Sequence, residues 1–416
     1  MIEFNFFFYF ILVSYFAYQL LQASLNLLDL KNLHQKSPSY LTDLLDAAKV
    51  EKINEYNRTN LRFSLLKRIY SVLIFLFLWW GKIFPLMFSW AESLVSGKIW
   101  TALVFVGILS SIQYLLGLPW GVYSTFVIEE KFGFNRSTWK TFFSDQIKGA
   151  ILGIIIGAPI LALLLFCFES LGSLAWLYSF LITAAFTLTL TYIAPTLIMP
   201  LFNKFTPLEE NDFYQKIKEL AQKCAFPLAG IYVMDASKRS SKGNAFFTGF
   251  GKQKRIVFFD TLLKQHDDDE LLAVLAHEIG HNKKKHTQMG VLFSILQMFI
   301  TFFLLGIFIN NLGLVKAFGF EATHTIVGMV LFTYLYQPAE LISGVLSMYI
   351  SRKNEYEADE YACQAVGETK SLTNALKKLL VDNYGNLNPH PMTVFFSHSH
   401  PTVGQRIAAM MKLKLS

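Results

Sequence analysis

Seven stretches of this 416-residue chain are long, apolar and almost free of charge, and no water-soluble fold buries that many. Residues 4–27, 99–128, 149–168, 170–203 and 287–315 contain no Asp, Glu, Lys or Arg, while 69–90 carries only Lys82 and 325–350 only Glu340. Crossing a hydrocarbon core about 30 Å thick takes roughly 20 helical residues, so the pattern predicts seven spans. Composition agrees: the chain is 53% hydrophobic and 16% charged, where soluble domains carry about 25% charge. A disordered chain and a purely soluble enzyme are both excluded. The stretch 170–203 exceeds one crossing, so its Pro195–Pro200 tail is expected at the interface. The first stretch follows Met1-Ile2-Glu3, has no basic head and is too long for a cleavable signal peptide. Cys167, Cys224 and Cys363 are too few for a disulfide framework and too scattered for a zinc knuckle.

The basic residues alternate between connecting segments. Residues 31–68 hold 8 Lys and Arg, 126–148 hold 4, 204–286 hold 14 and 351–416 hold 8, whereas the intervening loops hold only Lys98 and Lys316. This is the positive-inside pattern, which accounts for the net charge of +7 without invoking nucleic acid. It predicts an N-terminus outside and a C-terminus in the cytoplasm. Four regions follow: 1–203 with spans one to five and cytoplasmic loops 31–68 and 126–148; a foldable segment 204–286; spans six and seven in 287–350; and a second foldable segment 351–416. Within 204–286 the pattern predicts a helix at 208–225, strands near 230–235, 244–250 and 255–260, and turns at Gly243 and Gly249–Gln253. A further helix is expected to start at Asp267-Asp268-Asp269-Glu270, where acids suit the positive end of the dipole, and to run to His286.

That last helix contains His277-Glu278-Ile279-Gly280-His281. Residues 277 and 281 lie one turn apart, so both imidazoles project from one face and can bind one zinc ion. Glu278, beside the first ligand, is placed to take the proton of a metal-activated water. A catalytic zinc keeps three protein ligands and one open position. Asn354-Glu355-Tyr356-Glu357-Ala358-Asp359 offers the third, with Glu355 and Asp359 on one helix face and Glu357 pointing elsewhere. Glu355 is assigned to the metal and Asp359 to a hydrogen bond that orients a ligand histidine. Glu340, an acid inside a span, faces either a hydrated interior or, if the seventh span starts later, the interface.

Together, Ser237-Lys238-Arg239-Ser240, Asn244-Ala245-Phe246-Phe247-Thr248-Gly249, the His277–His281 motif and Asn354–Asp359 resemble the type I CaaX prenyl proteases. These are integral-membrane zinc metalloproteases of the yeast a-factor-converting type. Glu129–Asn135 and Ile198–Phe205 resemble loops of the same family, and the likeness covers nearly the whole chain. It implies that Asn244, Ala245 and Phe246 belong to an edge strand that aligns substrate, that His400 and Arg406 lie near the active site, where either can stabilise an oxyanion, and that the helices enclose a chamber.

The expected protein is therefore mainly α and multi-pass: seven transmembrane helices enclosing a chamber, with a small α+β zincin-type catalytic domain on the cytoplasmic side. Its expected activity is removal of the last three residues of prenylated CaaX peptides, or another membrane-associated peptide, with one zinc per chain. A membrane-protein quality-control protease of the same superfamily and a non-proteolytic scaffold or translocon-clearing factor are the rival readings. A bacterial inner membrane is preferred over the endoplasmic reticulum, because long insertions and an extended tail are lacking. The tail Lys412-Leu413-Lys414-Leu415-Ser416 fits a Lys-x-Lys-x-x retrieval pattern that two lysines at a basic end also produce by chance.

Overall fold

The structure, a computed structural model, describes residues 1–248 and 254–414. The expected turn at Gly249–Gln253, the end of the strand expected at 244–250, and Leu415-Ser416 lie outside the described residues. The membrane part comprises α1 (Phe6–Asn32), α2 (Ala47–Trp80), α3 (Ile83–Leu94), α4 (Lys98–Tyr123), α5 (Trp139–Ser170) and α6 (Ala175–Ile193), followed by the short α7 (Met199–Phe202). Side chains of Asn5, Asp46 and Thr138 cap α1, α2 and α5 by accepting backbone N–H bonds from Phe8, Lys49 and Thr141. Where α4 and α6 leave the span they loosen into π-helical turns at Ser124–Glu129 and Ala194–Ile198.

The second span is not one helix. It is the bent pair α2 and α3, which meet at 62°. Lys82 adopts φ 55 between them, and Pro85 in the first turn of α3 would collide with the Gly81 carbonyl in a continuous helix. With this pair counted as one span, the candidate spans among the described residues number seven. The tail expected at the interface, Pro195–Pro200, forms the second π turn and the start of α7.

The spans bury little of themselves. In the most apolar stretch of each unbroken span, from 0 to 28% of residues are buried. Neighbouring helices pack side by side into a ring, and their packed core gathers at one end, where Phe8, Trp79, Phe84, Phe105 and Phe318 belong to one buried cluster. The ring is tied at both ends. At one end Glu3 pairs with Lys316, Trp79 Nε1 donates to the Ala317 carbonyl at 2.8 Å, and Glu169 takes Lys98 and Thr325. At the other, Asp29 accepts from the His390 N–H at 2.7 Å and Asn57 donates to the Tyr384 carbonyl at 2.9 Å.

On that second end sits the small α+β unit. A four-stranded sheet runs in the order β1 (Phe205–Pro207), β2 (Leu228–Met234), β4 (Lys254–Phe259), β3 (Ala245–Thr248). β2 and β4 are parallel, and the outer strands pair antiparallel. β3 is an edge strand, in register Ala245 to Phe258 and Phe246 to Val257. The three-residue β1 had no sequence signal of its own. Around the sheet pack α8 (Asp212–Lys223), α9 (Asp260–Gln265) and α10 (Asp268–Lys283). The chain then re-enters the ring as α11 (His286–Phe308), passes α12 (Leu312–Lys316), and returns along α13 (Thr325–Val366). α14 (Lys370–Asp382), α15 (Pro391–Ser397) and α16 (Val403–Met410) complete the unit. Its core joins Phe213 and Ile217 of α8, Ile256 and Phe258 of β4, Leu275 and Ile279 of α10 and Cys363 of α13.

Candidate metal centre

α10 is capped by Asp267, whose side chain accepts from the Glu270 N–H, and it buries Leu271, Ala273, Leu275 and Ile279 against the core. Those contacts fix its rotation, so His277 and His281 look toward α13. Gly280 sets the distance between the helices: a Cβ there would lie 3.0 Å from the Ala358 carbonyl oxygen and 3.1 Å from Ala358 Cα. Only a residue without a side chain lets α10 come close enough for Glu355 to reach both imidazoles.

Among the described residues, His277, His281 and Glu355 form a group able to hold a metal ion. The two Nε2 atoms are 3.1 Å apart; Glu355 Oε1 is 3.2 Å from His281 Nε2, and Glu355 Oε2 is 3.5 Å from His277 Nε2. Ligands about 2.0–2.1 Å from a tetrahedral ion lie about 3.3 Å from one another, so the spacing fits. Glu355 Oε2 is buried and makes no hydrogen bond, although Arg406 Nη1 lies 3.0 Å away as an ion-pair partner. A buried carboxylate oxygen in that state suits a metal ligand. Burial alone would raise the Glu355 carboxyl, but the His281 hydrogen bond and the Arg406 charge pull it down to about 2. Burial pushes the Glu278 carboxyl up, against the opposing pull of His277 and His281.

Each imidazole is held from behind. His277 Nδ1 lies 2.9 Å from Asp359 Oδ1, which keeps Nε2 directed at the ion. His281 Nδ1 lies 3.1 Å from His286 Nδ1, and His286 Nε2 lies 3.2 Å from Glu357 Oε2. Neither His286 nor Glu357 was expected here. On one continuous helix His286 would sit about 140° round from His281. Instead α10 ends at Lys283, Lys285 takes φ 60, and His286 opens α11, turned back toward the site. Glu357 accordingly faces His286 and Lys353 rather than away from the centre.

Arg406 is placed differently from an oxyanion donor. It is buried and gripped by acids: Nε and Nη2 donate to Asp359 Oδ2 and Oδ1 at 2.8 and 2.6 Å. His400 is the accessible group, with Nε2 3.4 Å from Glu355 Oε1 and Nδ1 2.8 Å from Ser399 Oγ. The edge strand is anchored to the membrane helices. Lys242 Nζ donates to Tyr56 OH at 2.8 Å and Glu129 Oε2 at 2.9 Å, just before exposed Asn244. Arg239 grips Asp145 at 2.8 and 2.9 Å and the Phe202 carbonyl at 2.7 Å.

Residues 28–204 match the model of the CAAX prenyl protease N-terminal region, described as five membrane helices, and residues 207–414 match that of peptidase family M48. The chain belongs to peptidase family M48. As an M48 chain with this ligand group it is an integral-membrane metallopeptidase, which sets aside a scaffold without cleavage as its sole function. It is 37% identical to CAAX prenyl protease 1 of Saccharomyces cerevisiae, over 90% of this chain and 88% of that protein. It is 33% identical to the homologues in Arabidopsis thaliana and Homo sapiens, over 90 and 91% of this chain and 90 and 89% of theirs. The crystal structure of S. mikatae Ste24p superposes with a TM-score of 0.93 at 35% identity, covering 98% of this M48 chain and all of that one. These relatives are eukaryotic and lend no support to a bacterial membrane.

Proposed function

We propose that the chain is a zinc endopeptidase that removes the last three residues of prenylated CaaX peptides. What carries the reading is the two-imidazole, one-carboxylate group beside Glu278, in a chain that shares its family and its membrane helices with the CAAX prenyl proteases. Two nitrogens and one carboxylate oxygen at tetrahedral spacing suit zinc, one ion per chain. When bound, zinc polarises a scissile carbonyl and lowers the pKa of a water toward neutrality. Glu278 accepts the attacking water's proton and returns it to the leaving amine. His400, with its exposed imidazole, donates to the developing oxyanion. Arg406 holds Asp359 and Glu355 in place, a positioning role. β3 aligns the peptide through main-chain hydrogen bonds at Asn244, Ala245 and Phe246. The lipid stays in apolar surroundings, at about 0.8 kcal/mol per buried CH₂.

We place the catalytic unit in the cytoplasm and the N-terminus on the far side, as the Lys and Arg distribution requires. Since the named relatives are eukaryotic, we assign the protein to the endoplasmic reticulum membrane. The test compares farnesylated and unprenylated CaaX peptides with a large folded soluble protein. The expected result is preferential loss of three residues from the farnesylated peptide. Equal cleavage of the folded protein would favour a quality-control protease and overturn the substrate reading.

A further inference from the structure

Two membrane helices of this chain carry polar faces that the chemistry at the metal does not use. On α13, residues Glu340, Ser343, Ser347, Ser351 and Glu355 recur at helical spacing, so a polar track runs down one side of the helix to the metal ligand. The exposed apolar residues Ile342, Leu346 and Tyr349 lie on the opposite side, where lipid belongs. α11 is divided in the same way: Ser294, Gln297 and Thr301 share one side, and exposed Leu292, Leu296 and Ile307 share the other. The polar sides meet. Gln297 donates to Ser343 Oγ at 2.8 Å and Thr301 to Tyr336 OH at 2.9 Å.

Between these helices is a cavity of about 360 Å³ lined by Ser294, Gln297, Thr301, Tyr336 and Glu340 among others. Glu340 is exposed to it, and among the described residues its carboxylate has no cationic partner. The interface position left open by the sequence does not apply. At 1.5 Å per residue, Glu340 is about 22 Å from the start of α13 and about 22 Å from Glu355. A carboxylate at that depth is tolerated only where water or a cation reaches it.

We propose that Glu340 and its polar cavity form a subsite for a lysine or arginine side chain of the peptide substrate. The inference rests on the cleavage reading above. An extended peptide covers about 3.3–3.6 Å per residue, so 22 Å corresponds to about six or seven residues from the scissile bond. Only three residues follow a CaaX cut, so the basic residue lies on the N-terminal side. A charge pair in this hydrated interior has a modest effect, about five- to ten-fold in affinity.

The test is binding of fluorescein-labelled farnesylated CaaX peptides to the full-length, zinc-loaded Glu278→Gln protein, with lysine or alanine six or seven residues before the cut. The lysine peptide should bind about five- to ten-fold tighter. Adding Glu340→Gln should abolish the difference, and Glu340→Lys should transfer the preference to a glutamate peptide. Moving the lysine to two or twelve residues before the cut should remove the advantage. Zinc content and binding of the alanine peptide report folding of each variant and should not change. Equal binding of lysine and alanine peptides, or a lysine preference that survives Glu340→Gln, would overturn the subsite. Because binding is read without cleavage, a failure to cut CaaX peptides would defeat the activity reading alone.

Discussion

In the proposed mechanism Glu278 and the three ligands divide the chemistry, and single substitutions separate their roles. Glu278→Gln should keep zinc, measured by metal analysis, and lose peptidase activity, because it removes only the proton acceptor. Glu355→Ala should release zinc. His286→Ala should weaken zinc affinity about 10- to 100-fold, as loss of an orienting partner does, with Glu357→Ala changing it in the same direction and less. In the metal-free protein the depressed Glu355 carboxyl contributes stability that is fully present above its ordinary pKa of 4.5 and is lost as pH falls through about 2. A pH series of thermal unfolding should show that loss, and Glu355→Gln should lack it. His277, Glu278, His281, Glu355 and Asp359 were readable because each pair lies within one helical turn or beside its neighbour. His286 was not, because its contact depends on a left-handed backbone at Lys285. The grip of Arg406 on Asp359 joins residues 47 positions apart and left no local signal.

Helices and strands were legible wherever periodicity and caps marked them. α8, β2, β4 and the start of α10 fall within a few residues of expectation. Breaks were less legible. The bend between α2 and α3 follows from Lys82 and Pro85, which a hydropathy pattern averages away. The close approach of α10 to α13 makes Gly280→Ala a sharp probe: its Cβ meets backbone, which cannot rotate aside. It should cost about 1–3 kcal/mol in thermal unfolding and weaken metal binding. At the edge strand, Lys242→Met should leave zinc in place and raise KM about ten-fold, on the scale of 1.4 kcal/mol per factor of ten. It frees the segment before β3 from Tyr56 and Glu129 without touching the metal ligands. An unchanged KM would show that β3 needs no anchor in the membrane helices.

At the scale of the whole molecule, the composition announced a membrane protein, and the apolar stretches divide between a packed core at one end, around Phe8, Trp79, Phe105 and Phe318, and surface left for lipid. Their apolar sides meet lipid, and their polar sides, as on α11 and α13, meet the interior. In the proposed reading, such a ring admits flexible chains and excludes folded domains, and the metal centre at one end acts on what enters. The most direct measurement is mass spectrometry of a farnesylated CaaX peptide incubated with purified full-length protein before chelation, after chelation, and after zinc is returned. The account predicts loss of the last three residues in the first and third conditions, none in the second, with one zinc per active chain. Cleavage that persists in the chelated, metal-free protein, or a zinc-loaded protein that leaves the peptide intact, would contradict it.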